Sequence, residues 1–286
     1  MTYPWNDRGA GLSPLKLVVF VALFLPALWT AGAYVAGGLG ARPLNEAIHQ
    51  IGLWTIRFLF IALAVTPLRQ VLQWPQLILV RRMLGVGAAA YVMIHFALYV
   101  TDEAFDLGKV ASEIALRIYL TIGFVALCGL AVLAATSTDA MIRRLGGRRW
   151  QRLHRIVYVI ALLGLVHYWM QSKLEVWEPT VFAGFYLWLM GYRGLVWALG
   201  LRARRLPVQW VAGLGVVVAL AVALGEALYF HLAYKAPLAR VLGADLSLQT
   251  GVRPAIVVLA AGLLIAAAEA VRAALKRPAK RKLGYA

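Results

Sequence analysis

Charge is scarce in this chain and cysteine is almost absent. Only 14% of the 286 residues are charged, against roughly a quarter in an ordinary soluble domain. Cys128 is the only cysteine, so no internal disulfide scaffold exists. Acidic residues number 12 against 29 lysines and arginines, for a net charge of +17. No G-x-G-x-x-G follows a strand-like run, which removes the usual dinucleotide fingerprint. No polar stretch between apolar segments exceeds about 20 residues, too short to build a soluble core. What abounds is apolar: 62% of residues are hydrophobic. That excludes a disordered chain. A basic chain ordinarily reads as a nucleic-acid binder, but a membrane also sorts positive charge.

A transmembrane helix needs about 20 mostly apolar residues. Eight segments meet that requirement: Leu15–Ala36, His49–Pro67, Met83–Thr101, Glu113–Thr136, Leu153–Met170, Thr180–Leu199, Gln209–His231 and Pro254–Val271. The first lacks a small-residue cleavage site and is too long for a signal h-region, so it is expected to be an uncleaved anchor. Glycines inside the third, Gly85 and Gly87, read as close-packing sites. The expected fold is an all-α integral membrane bundle of eight transmembrane helices.

With the N-terminus in the cytoplasm, 20 of the 29 basic residues fall inside. Six fall outside: Arg42, Lys109, Lys173, Lys235, Arg240 and Arg253. Arg57, Arg117 and Arg193 lie within spans. Most acids fall outside. The positive-inside rule then puts both termini in the cytoplasm. It also accounts for the net charge without nucleic acid, and the run Lys276–Lys282 reads as a stop signal beside anionic lipid.

Intramembrane ionisable groups are functional candidates by default. Of five histidines, His95 and His167 stand out by depth. His95 lies 12 residues past Met83 and His167 14 past Leu153, about 18 and 21 Å in from the cytoplasmic side. Two histidines on different helices at one depth, towards the outer leaflet, suit axial ligation of a b-type haem. His154 sits at the inner end of the fifth span, roughly 20 Å from His167 along the axis, a spacing that suits a second, stacked haem. On an ideal helix the two would lie about 140° apart, so periodicity does not give them a shared face. Arg81 shares the seam of His95 at the depth of His154, where a haem propionate or a simple membrane anchor are its two readings. His49 and His231 read as interfacial.

Two stretches carry a family resemblance. One is Arg81-Arg82-Met83-Leu84-Gly85 followed by Tyr91-Val92-Met93-Ile94-His95. The other runs from Thr136-Ser137-Thr138-Asp139 through Arg149-Trp150-Gln151-Arg152-Leu153-His154 to His167-Tyr168. Together, with Thr66-Pro67-Leu68 and Tyr119-Leu120-Thr121, they resemble the membrane haem subunit of bacterial periplasmic protein-methionine-sulfoxide reductase systems. That subunit sits within the wider ferric-reductase-like transmembrane family. The resemblance covers roughly Leu15 to Leu199. It implies an inner-membrane b-type cytochrome with one or two haems, and brings FMN into view as a further cofactor. Its electrons would come from the quinone pool or a cytoplasmic flavin reductase. They would pass to a periplasmic molybdopterin subunit that reduces methionine sulfoxide in proteins. His95, His154 and His167 carry over as haem-linked positions.

The family core has six helices, so the seventh and eighth spans form an extension, with Glu226 and Glu269 inside it. The expected organisation is a tail at 1–14, a haem domain at 15–200, a two-helix extension at 201–272 and a basic tail at 273–286. Arg57 and Arg117 lie towards the outer leaflet, where they would either hold haem propionates or snorkel to head groups. The rival functions are a transporter or channel with histidine proton relays, or the membrane part of a ferric reductase system. No inverted repeat or broken midplane helix supports the transporter.

Overall fold

The structure is a computed structural model that describes Trp5 and residues 11–173, 175–201, 206–245, 247 and 251–275. Arg8 in the N-terminal tail, the loop arginines Arg202, Arg204 and Arg205, and the basic run Lys276–Lys282 lie outside the described residues. The elements are helical throughout: α1 (Pro14–Val35), α2 (Pro43–Val71), α3 (Arg81–Asp102), α4 (Leu107–Leu116), α5 (Ile118–Ala135), α6 (Asp139–Leu145), α7 (Gly147–His154), α8 (Val157–Gln171), α9 (Trp177–Ala198), α10 (Val208–Tyr234), α11 (Leu238–Asp245) and α12 (Pro254–Leu275). A 3-10 turn, Pro75–Val80, leads into α3.

Seven helical stretches among the described residues are long and apolar enough to cross a membrane. Large apolar side chains cover their outer faces, with Val18 65% and Leu28 65% exposed. In a bilayer every backbone group must be satisfied within the segment, which these helices achieve. This is a multi-pass membrane protein. The expected count was eight. The sixth expected span, Thr180–Leu199, does form a helix, α9, but its glycines, aromatics and Arg193 keep it below the apolarity of the other seven.

Two boundaries also move. The fourth expected span began at Glu113, but the chain breaks at Arg117, whose extended backbone (φ −106°, ψ 105°) separates the short α4 from α5. The fifth was expected to run as one helix from Leu153. Instead α7 ends at His154, and i→i+3 bonds at Arg155 and Ile156 tighten the chain before α8 starts. The angular relation of His154 to His167 on an ideal helix therefore does not hold. Of the two glycines read as close-packing sites, Gly87 meets Leu23 of α1, whereas Gly85 faces open space.

The chain forms two compact units. The first comprises Met1–Val65 and Gln76–Pro179, the second Thr66–Pro75 and Thr180–Ala286. In the first, α5 packs on α8, α3 and α4, and α1 packs on α3. Pro26 removes a donor from the middle of α1, and beside it the Tyr91 hydroxyl enters the helix ladder. It donates to the Leu23 carbonyl (2.7 Å) and accepts from the Ala27 amide (3.0 Å). A side chain inserted into the ladder beside a proline is a common cause of helix bending.

In the second unit α9, α10 and α12 meet through glycines. Gly215 and Gly262 bring the backbones of α10 and α12 together, and a Cβ at Gly262 would stand 2.7 Å from the Gly215 Cα. Small residues at such a crossing let helix backbones approach closely in lipid. Valine at position 262 is expected to cost about 1–3 kcal/mol through overpacking, because the obstacle is backbone. Thermal unfolding of the detergent-solubilised variant checks this, with Gly213→Val on the facing helix α10, where a Cβ meets nothing within 4 Å, as the neutral control.

Candidate metal centre

The first unit brings His95 of α3 and His167 of α8 together, as their common depth led one to expect. Their ring centroids stand 6.4 Å apart and their planes are nearly perpendicular, at 82°. Each ring is oriented by a backbone carbonyl on a third helix. His95 Nδ1 lies 2.9 Å from the Ile48 carbonyl of α2. His167 Nδ1 lies 2.8 Å from the Tyr119 carbonyl of α5. A carbonyl only accepts, so Nδ1 carries the proton in each ring and the lone pair is left on Nε2. Neutral imidazoles with Nδ1–H given to a carbonyl are the form in which histidine ligates metal.

Each ring also rests against a glycine. A Cβ at Gly52 of α2 would meet His95 Nδ1 and Cε1 at 3.0 Å, and one at Gly123 of α5 would meet His167 Nδ1 at 2.7 Å. Aromatic side chains stand nearby. Phe96 of α3 packs on Phe124 of α5 (5.8 Å) and on Tyr99 (6.5 Å), and the Tyr119 ring lies 6.5 Å from His167. Tyr99, one helical turn after His95, buries a hydroxyl that has no hydrogen-bond partner among the described residues.

The donor set suits a haem. Two imidazoles that share one first-row metal, at about 2 Å per metal–nitrogen bond, have centroids roughly 6 Å apart. The observed separation matches. Two neutral imidazole nitrogens, from His95 and His167, would hold the iron of a haem, which would supply one-electron redox chemistry. The residues fit the group.

His154 stands apart. Its Nε2 bonds the Thr136 hydroxyl (3.1 Å), and Trp150 stacks on its ring (3.9 Å) while donating to the Thr136 carbonyl (2.9 Å). Arg81 is close enough to His154 for its charge to act on the ring, as their shared depth implied. Beside them Arg82 pairs with Asp139 and ties the start of α3 to α6.

Arg57 and Arg117 are held by carboxylates. Arg57 donates to Glu178 (2.7 Å) and lies over the Trp54 ring (4.9 Å). Tyr168, next to His167, bonds the same Glu178. Arg117 pairs with Glu113 (2.6 Å), donates to the Tyr119 hydroxyl (3.2 Å), and lies within electrostatic reach of Tyr99. The structure thus brings Arg57 and Arg117 near the histidine pair through side chains that adjoin it, Glu178 and Tyr168 for Arg57 and Tyr119 and Tyr99 for Arg117. His231 Nδ1 bonds the Ala236 carbonyl at the end of α10, and His49 follows Ile48 on α2. Gly52, Gly123 and Tyr99 were not singled out from sequence. The only signal was an Ile-Gly pair on each of two spans.

The model of the ferric reductase like transmembrane component family matches residues 50–165, which include His95 and His154. Three relatives carry the name protein-methionine-sulfoxide reductase heme-binding subunit. The protein of Rhodospirillum rubrum is 42% identical over 179 residues, covering 62% of this chain and 86% of the relative. That of Xanthomonas euvesicatoria is 43% identical over 199 residues (69% and 87%). That of Ralstonia nicotianae is 39% identical over 197 residues (68% and 90%). The chain belongs to this heme-binding subunit family. Such relatives are matched over nearly their whole length, so about a third of this chain has no counterpart in them. No solved structure matches.

Proposed function

We propose that this chain is the haem-binding, electron-transferring membrane subunit of a protein-methionine-sulfoxide reductase system. The observation that carries the reading is the His95/His167 pair. Both rings present Nε2 lone pairs at a shared depth, with a separation that suits one b-type haem. Bound there, a haem carries one electron at a time. The chain's residues orient the two imidazoles through Ile48 and Tyr119 and surround them with apolar helices. Tyr99 and Arg117 supply a donor and a positive charge for a propionate at the outer end. Arg57 reaches the other side of the site through Glu178 and Tyr168. Arginine suits a carboxylate bidentately. His154 and Arg81 mark an inner position where a second haem would sit, and the bond between His154 Nε2 and the Thr136 hydroxyl would have to open for it.

In this reading the bundle has eight spans, with α9 as the sixth, and both termini lie in the cytoplasm of a bacterial inner membrane, as the charge bias favours. Reduced quinone or a cytoplasmic flavin reductase delivers electrons at the inner side. A periplasmic catalytic subunit, whose substrate is methionine sulfoxide, receives them at the outer side. α10 and α12 form an extension beyond the haem domain.

The test is the purified protein's visible spectrum. It is expected to be red, with a Soret band that shifts on dithionite reduction and returns when the oxidised periplasmic partner is added. A colourless protein from haem-replete cells would overturn the reading.

A further inference from the structure

We propose that Gly52 and Gly123 are the positioning residues of the two haem-ligating histidines, through one device used twice. The inference rests on the haem reading above. In both cases the accepting carbonyl lies four residues before the glycine: Ile48 before Gly52 on α2, Tyr119 before Gly123 on α5. That is the carbonyl which the glycine's own amide reaches in an α-helix. A helical side chain covers the turn N-terminal to its own Cα. Any residue other than glycine at 52 or 123 would therefore lie over the carbonyl that the imidazole has to reach. The glycines open a window in each helix. The Nδ1–Cε1 side of the ring occupies that window, and the carbonyl takes its Nδ1–H as a second donor.

Two properties follow. The windows fix the ring planes, which stand at 82° to one another. They also fix the strength of the Nδ1–H bond, which makes each imidazole a more basic ligand. A more basic axial ligand favours ferric over ferrous iron, so the windows hold the haem potential down. The strictness differs between the two. A Cβ at 123 would stand 2.7 Å from the ring and forces a shift, whereas one at 52 would stand at 3.0 Å and requires a smaller one.

The test uses the full-length protein with its haem, comparing Gly52→Ala, Gly123→Ala and the control Gly85→Ala. Gly85 lies on the same helix as His95 with nothing within 4 Å of its added Cβ. Haem per polypeptide, the midpoint potential and the low-spin ferric resonance are read. Both site variants are expected to shift the potential upward and to change the resonance, Gly123→Ala more than Gly52→Ala. Gly85→Ala should match the wild type. If Gly123→Ala retains no haem while Gly85→Ala is fully loaded, the window at 123 is supported, and Gly52→Ala carries the potential measurement. Wild-type potential and resonance in Gly52→Ala and in haem-loaded Gly123→Ala would overturn the inference with the haem reading intact. A wild-type protein without haem would overturn that reading instead.

Discussion

His167→Ala is expected to abolish haem binding at the proposed His95/His167 site, and His95→Ala to do the same. In the proposed site each ring would supply one of the two nitrogens that hold the iron. Outer-shell changes alone cost roughly 10–100-fold in metal affinity, so loss of a ligand should cost at least about 100-fold. The Soret absorbance per polypeptide should fall to background in both variants if the chain carries one haem, or by half if it carries two. His154→Ala should leave the His95/His167 site unaffected, because its ring is held by Thr136 and Trp150. Full haem content in the His167 variant would contradict the ligand assignment.

The second large effect belongs to the extension. Arg253, just before α12, donates to Glu226 of α10 (2.6 Å) and to Asp245 of α11 (3.0 Å). Glu226 and Asp245 are buried, at 4% and 0% exposure. One guanidinium thus compensates two buried carboxylates and pins the α10–α12 connection. Removing one partner of a buried ion pair costs about 3–5 kcal/mol, because the charge left behind has no compensation. Arg253→Ala should destabilise the second unit by that order, seen as a lower unfolding temperature in detergent. Burial pushes the Asp245 carboxyl above its usual range. The folded state therefore keeps that proton to higher pH than the unfolded chain, and stability falls as pH rises through the raised value. The defect of Arg253→Ala should accordingly be milder in acid. The double variant Glu226→Gln/Asp245→Asn should recover part of the loss in the Arg253→Ala background. An unfolding temperature equal to wild type would refute the compensation.

The sequence carried the depth of His95 and His167 because depth is a count along a helix, and helical rise is constant. It carried Arg81 near His154 for the same reason. What it could not carry was non-local pairing. Arg57 and Glu178 are 121 residues apart, and Arg82 and Asp139 are 57 apart. Neither helix pattern shows which carboxylate meets which arginine. Nor did hydropathy reveal the break at Arg117, since Ile114–Leu116 and Ile118 around it stay apolar, and the basic run ahead of Arg155 did not mark a turn at Arg155–Ile156. The breaks depend on where α4 and α7 end, not on composition. Glu226 and Asp245 had no assigned partner until the fold returned Arg253 to them. Gly52 and Gly123 were hidden for another reason. A glycine in a membrane helix reads as general packing, and its meaning appears only with the ring that occupies the vacancy.

The central claim, that His95 and His167 are the two axial ligands of one haem, is tested most directly by electron paramagnetic resonance of the oxidised protein. Two axial imidazoles at 82° leave the iron d-orbitals nearly degenerate, so a strongly anisotropic low-spin signal is expected. It should vanish in both His95→Ala and His167→Ala and persist in His154→Ala. A high-spin signal in the wild type, or a wild-type low-spin signal surviving in either variant, would contradict the assignment.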